Sequence, residues 1–387
     1  MAREALLAGS TRNLRPAVWS VTHTPMDARP FALLFALTLG AAPFPEPHNN
    51  QAETIPVLKP ADALTKLHLP EGFNATLFAA EPDVRQPIAM CWDERGRLWI
   101  AENYTYSDGK ERYDLNLRDR ILILEDSDHD GKFDKRTVFT DEVQMLTSIE
   151  RGLGGVYAMC PPNLLFIPDK NHDDQADSAI EIRLSGWGIQ DRHETLNSLN
   201  WGPDGWLYGC QGFATRSTVG KPADGGKLFK KGEPFPEKIP VVDGQYLDGG
   251  VWRYHPTKDR FEIVAHGFSN PWGLDFDDHG QMFITACVIP HLWHVIPGGI
   301  YHSQGGKHIN PAIYDDIKTI ADHSHRSAHG GARIYLADEF PREYRDRIFM
   351  ANIHEHAVLT DKLVPKGSGF VGQHGDDTLL ANDAAWV

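Results

Sequence analysis

Residues 88–102 read IAMCWDERGRLWIAE, and the same design returns at 198–212 as SLNWGPDGWLYGCQG and at 273–287 as GLDFDDHGQMFITAC. Each is an apolar strand, a D-x-G or similar turn and an aromatic-rich strand. A β-hairpin has this pattern, because its tight turn needs a residue at positive φ and its strands alternate large side chains. A degenerate copy, VYAMCPPNLLFIPD, starts at Val156. The turns centre near Gly96, Asn163, Gly205 and Gly280. Spacings this large leave room for more than one hairpin per unit, and further strands are expected at 120–125, 251–255 and 347–353. Units that cannot bury both faces alone stack radially, so the reading is all-β: a six-bladed β-propeller with about five blades present. The chain stops at Val387, where another inner strand is due, so a truncated propeller is expected over 67–387.

The 387 residues are 41% hydrophobic and 24% charged, a globular composition with ample core material. The net charge of −15 opposes phosphate backbones, which excludes nucleic acid as the expected partner. Arg29, the apolar run FALLFALTL at 31–39 and Gly40-Ala41-Ala42 have the parts of a secretory leader. Residues 1–42 therefore read as an extension and signal peptide, and 43–66 as a linker. The expected location is periplasmic or cell-envelope, with no membrane span in the chain. Cys91, Cys160, Cys210 and Cys287 read either as two disulfides or as four buried thiols.

Two acidic loops share one spacing: Asp126, Asp128, Asp130, Gly131 and Asp134, then Asp169, Asn171, Asp173, Asp174 and Asp177. Alternate oxygens on a turning loop match the first half of a calcium loop, so both are candidate calcium sites of structural role. Three polar segments lead into inner strands: 191–197 (DRHETLN), 269–273 (SNPWG) and 323–331 (HSHRSAHGG). Their convergence on one axis makes His193 and His329 the candidate bases. Asn197, Asn270 and Arg326 are the cofactor-binding candidates. His291, His294 and His308 read as packed or exposed residues.

The stretch HGGARIYLADEFPREYRDRIFMANIHEHAVLTDKLVPKGSGFVGQH from His329, with RHETLNSLNWGPDGWLYGCQG from Arg192 and LPEGF at Leu69, resembles the N-terminal propeller domain of planctomycete and verrucomicrobial membrane-bound dehydrogenases. That family is similar to the glucose/sorbosone dehydrogenases. The resemblance implies oxidation of a sugar or alcohol, pyrroloquinoline quinone with calcium, and electrons passed to a cytochrome c domain or partner. It implies that His193 is the base. It also places an arginine contacting the quinone where this chain has Ser269, with Arg216, Arg326 or Arg333 as substitutes. Two alternatives stand beside it. One is a calcium-dependent lactonase or esterase using Glu102, Asn200 and Asn270; the other is a non-catalytic propeller that binds glycan or protein.

Overall fold

The computed structural model describes residues 58–107, 112–177, 179–229, 233, 239–287, 289–304, 315–326 and 328–381. The proposed leader, most of the linker and His308 lie outside them. Within the stretch read as linker, Pro60–Leu64 forms a short helix, α1, with proline in its first turn.

The first sheet is a four-stranded antiparallel meander: β1 (Pro87–Trp92), β2 (Leu98–Glu102), β3 (Asp119–Glu125) and β4 (Lys135–Val143). The second runs through β5 (Ser148–Gly152), β6 (Gly155–Cys160), β7 (Asn163–Pro168) and β8 (Glu181–Ser185). The third begins with β9 (Asn197–Trp201) and β10 (Leu207–Gln211). A hairpin of β11 (Ser217–Pro222) and β12 (Val241–Leu247) then leaves it and extends the second sheet beyond β8. The third resumes with β13 (Gly250–His255) and β14 (Arg260–His266). The fourth contains β15 (Asn270–Phe276), β16 (Met282–Cys287) and β17 (Trp293–Val295). The fifth contains β18 (His329–Ile334), β19 (Arg347–Asn352), β20 (Ala357–Lys366) and β21 (Gly369–His374), with β22 (Leu379–Leu380) against β20.

These are five blades of a β-propeller. Their first strands β1, β5, β9, β15 and β18 neighbour one another in chain order. The reason is visible in β2, whose five residues are all buried. Trp99 and Ala101 pack toward the second blade, whereas Leu98 and Ile100 pack on the opposite side with Ala79 and Val84. Likewise Leu207 faces the second blade, and Trp206, Tyr208 and Cys210 face the fourth. Successive side chains of a strand point to opposite faces, so a doubly apolar strand needs a sheet on each side. The core therefore lies in layers between blades.

The repeat has one exception. In the first, third and fourth blades the quoted motif joins the first two strands, with Gly96, Gly205 and Gly280 at φ of 76°, 77° and 74°. In the second blade VYAMCPPNLLFIPD forms β6 and β7, the second and third strands. Leu153 and Gly154 make the earlier turn instead. The N-terminal segment bridges two ends of the array: His68 pairs with Leu380, Phe73 packs on Phe340 and Tyr344, and residues 78–84 cover the first blade. All four cysteines are free thiols rather than disulfides; Cys91, Cys160 and Cys210 are buried as the second alternative expected, and Cys287 is half-buried. Among the described residues no helix is long and apolar enough to cross a membrane.

Candidate functional site

The loop from 186 to 196 leads from β8 into β9. Asp191 organises it by accepting the His193 backbone N–H at 2.7 Å and the Glu194 N–H at 3.3 Å. The same carboxylate lies 3.4 Å from His193 Nδ1. Its bond to His193 holds Asp191 down to about 2, against the opposing effect of burial. The His193 side chain is 61% exposed and meets Tyr106 edge-on at 6.0 Å. The Arg192 guanidinium stands 4.9 Å above the same ring.

Tyr106 is positioned from the first blade. Buried Asp119 accepts the N–H groups of Tyr104, Thr105 and Leu146 at 2.6, 2.8 and 2.8 Å. Asn103 then accepts the Tyr106 N–H at 2.9 Å. Glu194, the neighbour of His193, turns inward. Burial, with Asp191 and Asp248, pushes it up to about 8, and its Oε2 is buried without a hydrogen-bond partner. Two adjacent carboxyls are thus driven apart, one ionised and one holding its proton at neutral pH, as acid–base sites require.

The loops of the third, fourth and fifth blades do meet. The Gly212 N–H donates to Glu194 O, and the Phe213 N–H donates to Ser269 O. Asn270 pairs with Cys287 between β15 and β16, and its buried Oδ1 has no partner. Burial and the Glu194 charge push the Cys287 thiol up to about 12, and its Sγ donates to His329 O at 2.8 Å. His329 is buried, whereas His193 presents its ring to solvent. Burial, with His291 and His325, lowers His329 to about 3, so it is a neutral imidazole.

Asn197 is buried and locally occupied: its amide donates to Thr195 O and its Oδ1 accepts from Ser198. Arg326 is exposed and contributes its backbone, donating to Glu355 and accepting from Asn352. The lactonase ligand Glu102 is already held by Arg120 and the Tyr104 hydroxyl. Asn200 donates to Leu274 O and Asp275.

A histidine cluster missed by the sequence reading lies between the fourth and fifth blades. His291 precedes β17, His323 and His325 precede β18, and Asp361 sits within β20. One ligand atom from each lies within 4.8 Å of the others. His291 Nε2 is 3.0 Å from Asp361 Oδ2, and His323 Nε2 is 3.2 Å from Oδ1. The available signal was His323-Ser324-His325, because residues i and i+2 of an extended segment share a face.

The two acidic loops have one geometry. Asp126 and Asp169 each accept the N–H four residues on at 3.1 Å, and Asp134 and Asp177 each accept the one seven residues back, at 3.0 and 3.1 Å. They join equivalent strands, β3 to β4 and β7 to β8. Carboxylates of Asp126, Asp128 and Asp130 gather within 4.8 Å. In the second loop Asn171 binds Asp173. Asp174, in the place of Gly131, grips Arg97 of the first blade at 2.7 and 2.9 Å. That loop serves as an inter-blade clamp.

Residues 59–387 match the family described as Domain of unknown function (DUF7133). The chain belongs to this family. No curated protein matches this DUF7133 chain in sequence. Among solved structures it is similar to an oxidoreductase (glucose dehydrogenase) from Thermus thermophilus, at 16% identity and TM-score 0.45, over 76% of this chain and 84% of that one. It is also similar to the PQQ-bound aldose sugar dehydrogenase of Streptomyces coelicolor, at 13% identity and TM-score 0.46, over 81% and 84%. A virginiamycin B lyase from Staphylococcus aureus is similar at 11% identity and TM-score 0.35, over 74% and 83%. None of these likenesses assigns a role to a residue of this chain.

Proposed function

We propose that this DUF7133 chain is an exported oxidoreductase of the sugar or alcohol dehydrogenase type, with His193 as its proton acceptor. The observation that carries the reading is the Asp191–His193 pair beside the half-exposed ring of Tyr106. Tethering Nδ1 to a carboxylate leaves Nε2 as the nitrogen that takes a proton. The part of the Tyr106 ring left exposed beside Arg192 suits the apolar side of a neutral carbohydrate. The substrate hydroxyl gives its proton to His193, and the carbon-bound hydrogen leaves as hydride to an added two-electron acceptor of the quinone or flavin class, leaving a carbonyl product. A cytochrome c domain would carry the electrons onward. Export rests on the leader pattern, and the membrane-bound dehydrogenase resemblance rests on the quoted segments.

The residues present do not fit pyrroloquinoline quinone held through an arginine at position 269. Ser269 is fully buried and its Oγ accepts the Gln304 N–H at 2.6 Å. Arg216 is turned outward onto Asp248, and Arg333 is exposed near Asp275. Asp191 and Asp248, the two charges that raise Glu194, instead leave this mouth with carboxylate charge. A poly-anionic quinone would meet like charge there. Calcium is proposed at the first acidic loop, where it would neutralise Asp126, Asp128 and Asp130 and stiffen the β3–β4 turn.

Dye-linked oxidation of neutral aldoses and alcohols by the whole chain, with and without added quinone, tests this reading. Turnover of at least one substrate is expected, falling about 10²-fold or more in His193→Ala. No turnover with any substrate overturns it.

A further inference from the structure

We propose that His291, His323, His325 and Asp361 form a binding site for one divalent first-row transition-metal ion of the zinc type. The proposal stands apart from the dehydrogenase reading and needs no turnover. Its first support is chemical. Three imidazoles and one carboxylate make a nitrogen-rich donor set that suits zinc and its neighbours, whereas calcium and magnesium take oxygen.

The second support is the orientation of the rings. His323 Nδ1 is 3.1 Å from Asp322 Oδ1, and His325 Nδ1 is 3.4 Å from Glu355 Oε2. Glu355 is itself anchored, accepting the Arg326 N–H at 2.9 Å. The carboxylate hydrogen-bonded to His323 Nδ1 favours the proton there and leaves the Nε2 lone pair facing inward, the outer-shell arrangement of metal-ligating histidines, and Glu355 faces Nδ1 of His325 as an ion-pair contact. His323 Nε2, His325 Nε2 and Asp361 Oδ1 are all buried without a hydrogen-bond partner. His323 Nε2 nevertheless stands 3.2 Å from Asp361 Oδ1. With the proton on Nδ1, these are two lone-pair acceptors facing each other. A second proton on His323 or a bound metal ion relieves that contact, and only the metal ion also engages His291 and His325.

The third support is the scaffold. Asp361 is fully buried and paired in β20 with Ile348 and His374. His291 is held by the Thr319 hydroxyl on its carbonyl. Ligands from a β-strand and two anchored loops keep their geometry without the ion.

The test uses tag-free whole chain, stripped with chelator and titrated with Zn²⁺ and, separately, Co²⁺. The expected result is about one equivalent bound per chain, as a single four-ligand site requires, with visible d–d absorption from Co²⁺. His325→Ala and Asp361→Asn abolish it. Because those variants can also unfold the blade, Asp322→Asn is the decisive one: its carboxylate is half-exposed and removal weakens Zn²⁺ binding about 10–100-fold. Asp126→Asn leaves Zn²⁺ affinity unchanged. Absence of a bound equivalent, or affinity untouched by Asp322→Asn, overturns the proposal. A chain that binds zinc yet oxidises no sugar retains this site and loses only the dehydrogenase reading.

Discussion

Replacing Arg97 with alanine tests whether the blades are locked by buried charge. Arg97 is 3% exposed in its side chain and bridges two carboxylates. Its Nε donates to Asp93 at 2.8 Å, and Nη1 and Nη2 hold both oxygens of Asp174 at 2.7 and 2.9 Å. After the substitution the fully buried Asp93 keeps its bonds from Trp99 Nε1 and two backbone N–H groups, yet has no counter-charge. Asp174 keeps only the half-exposed Arg95, at 3.1 Å. Removing one partner of a buried ion pair costs about 3–5 kcal/mol, and the surviving bonds place this case near 3. In a urea titration with a slope of about 3 kcal/mol per M, the midpoint falls by roughly 1 M at unchanged slope. Arg97→Lys, which keeps charge but not the two-pronged grip, falls between.

The pH dependence has a definite sign. Asp93 and Asp174 are both held below the ordinary carboxylate value, Asp93 by bonds from Trp99 and Arg97 that outweigh burial, Asp174 chiefly by the Arg97 bond. Their stabilisation is present above the unfolded value near 4 and is lost as pH falls through the lower folded value. The gap between native protein and Arg97→Ala is therefore widest at neutral pH and narrows in acid. A midpoint within about 0.2 M of native at pH 7 would falsify the lock, since that is under a fifth of the shift expected.

Asp119→Ala orphans three buried N–H donors and costs about 3 kcal/mol or more by chemical denaturation; it also releases Tyr106, so turnover falls further than stability alone explains. Glu194 has its folded value raised to about 8 by burial and two carboxylates, so native stability declines as pH rises from about 4 toward 8. Glu194→Gln removes that decline, and equal slopes in thermal melts across this range refute the assignment. Calcium raises the melting temperature of the native chain, an effect lost in Asp126→Asn. Gly131→Ala, at φ 86°, costs about 1 kcal/mol even without calcium.

The amino-acid sequence by itself determined the hairpins, the blade architecture and the loop that carries His193. Those features depend on neighbours in the chain: a turn glycine, alternating apolar residues and an aspartate two residues before a histidine. The similar geometry of the acidic loops was legible for the same reason. The role of Asp174 was not, because its partner Arg97 is 77 residues away and only blade stacking brings them together. Nor was the inward turn of Glu194 beside the outward His193. The histidine cluster is the clearest case. His291 and Asp361 are 70 residues apart, and an isolated histidine in a strand-rich sequence reads as packing. Only the closure of the fourth blade on the fifth put those lone pairs around one buried carboxylate, where desolvation makes their arrangement chemically meaningful.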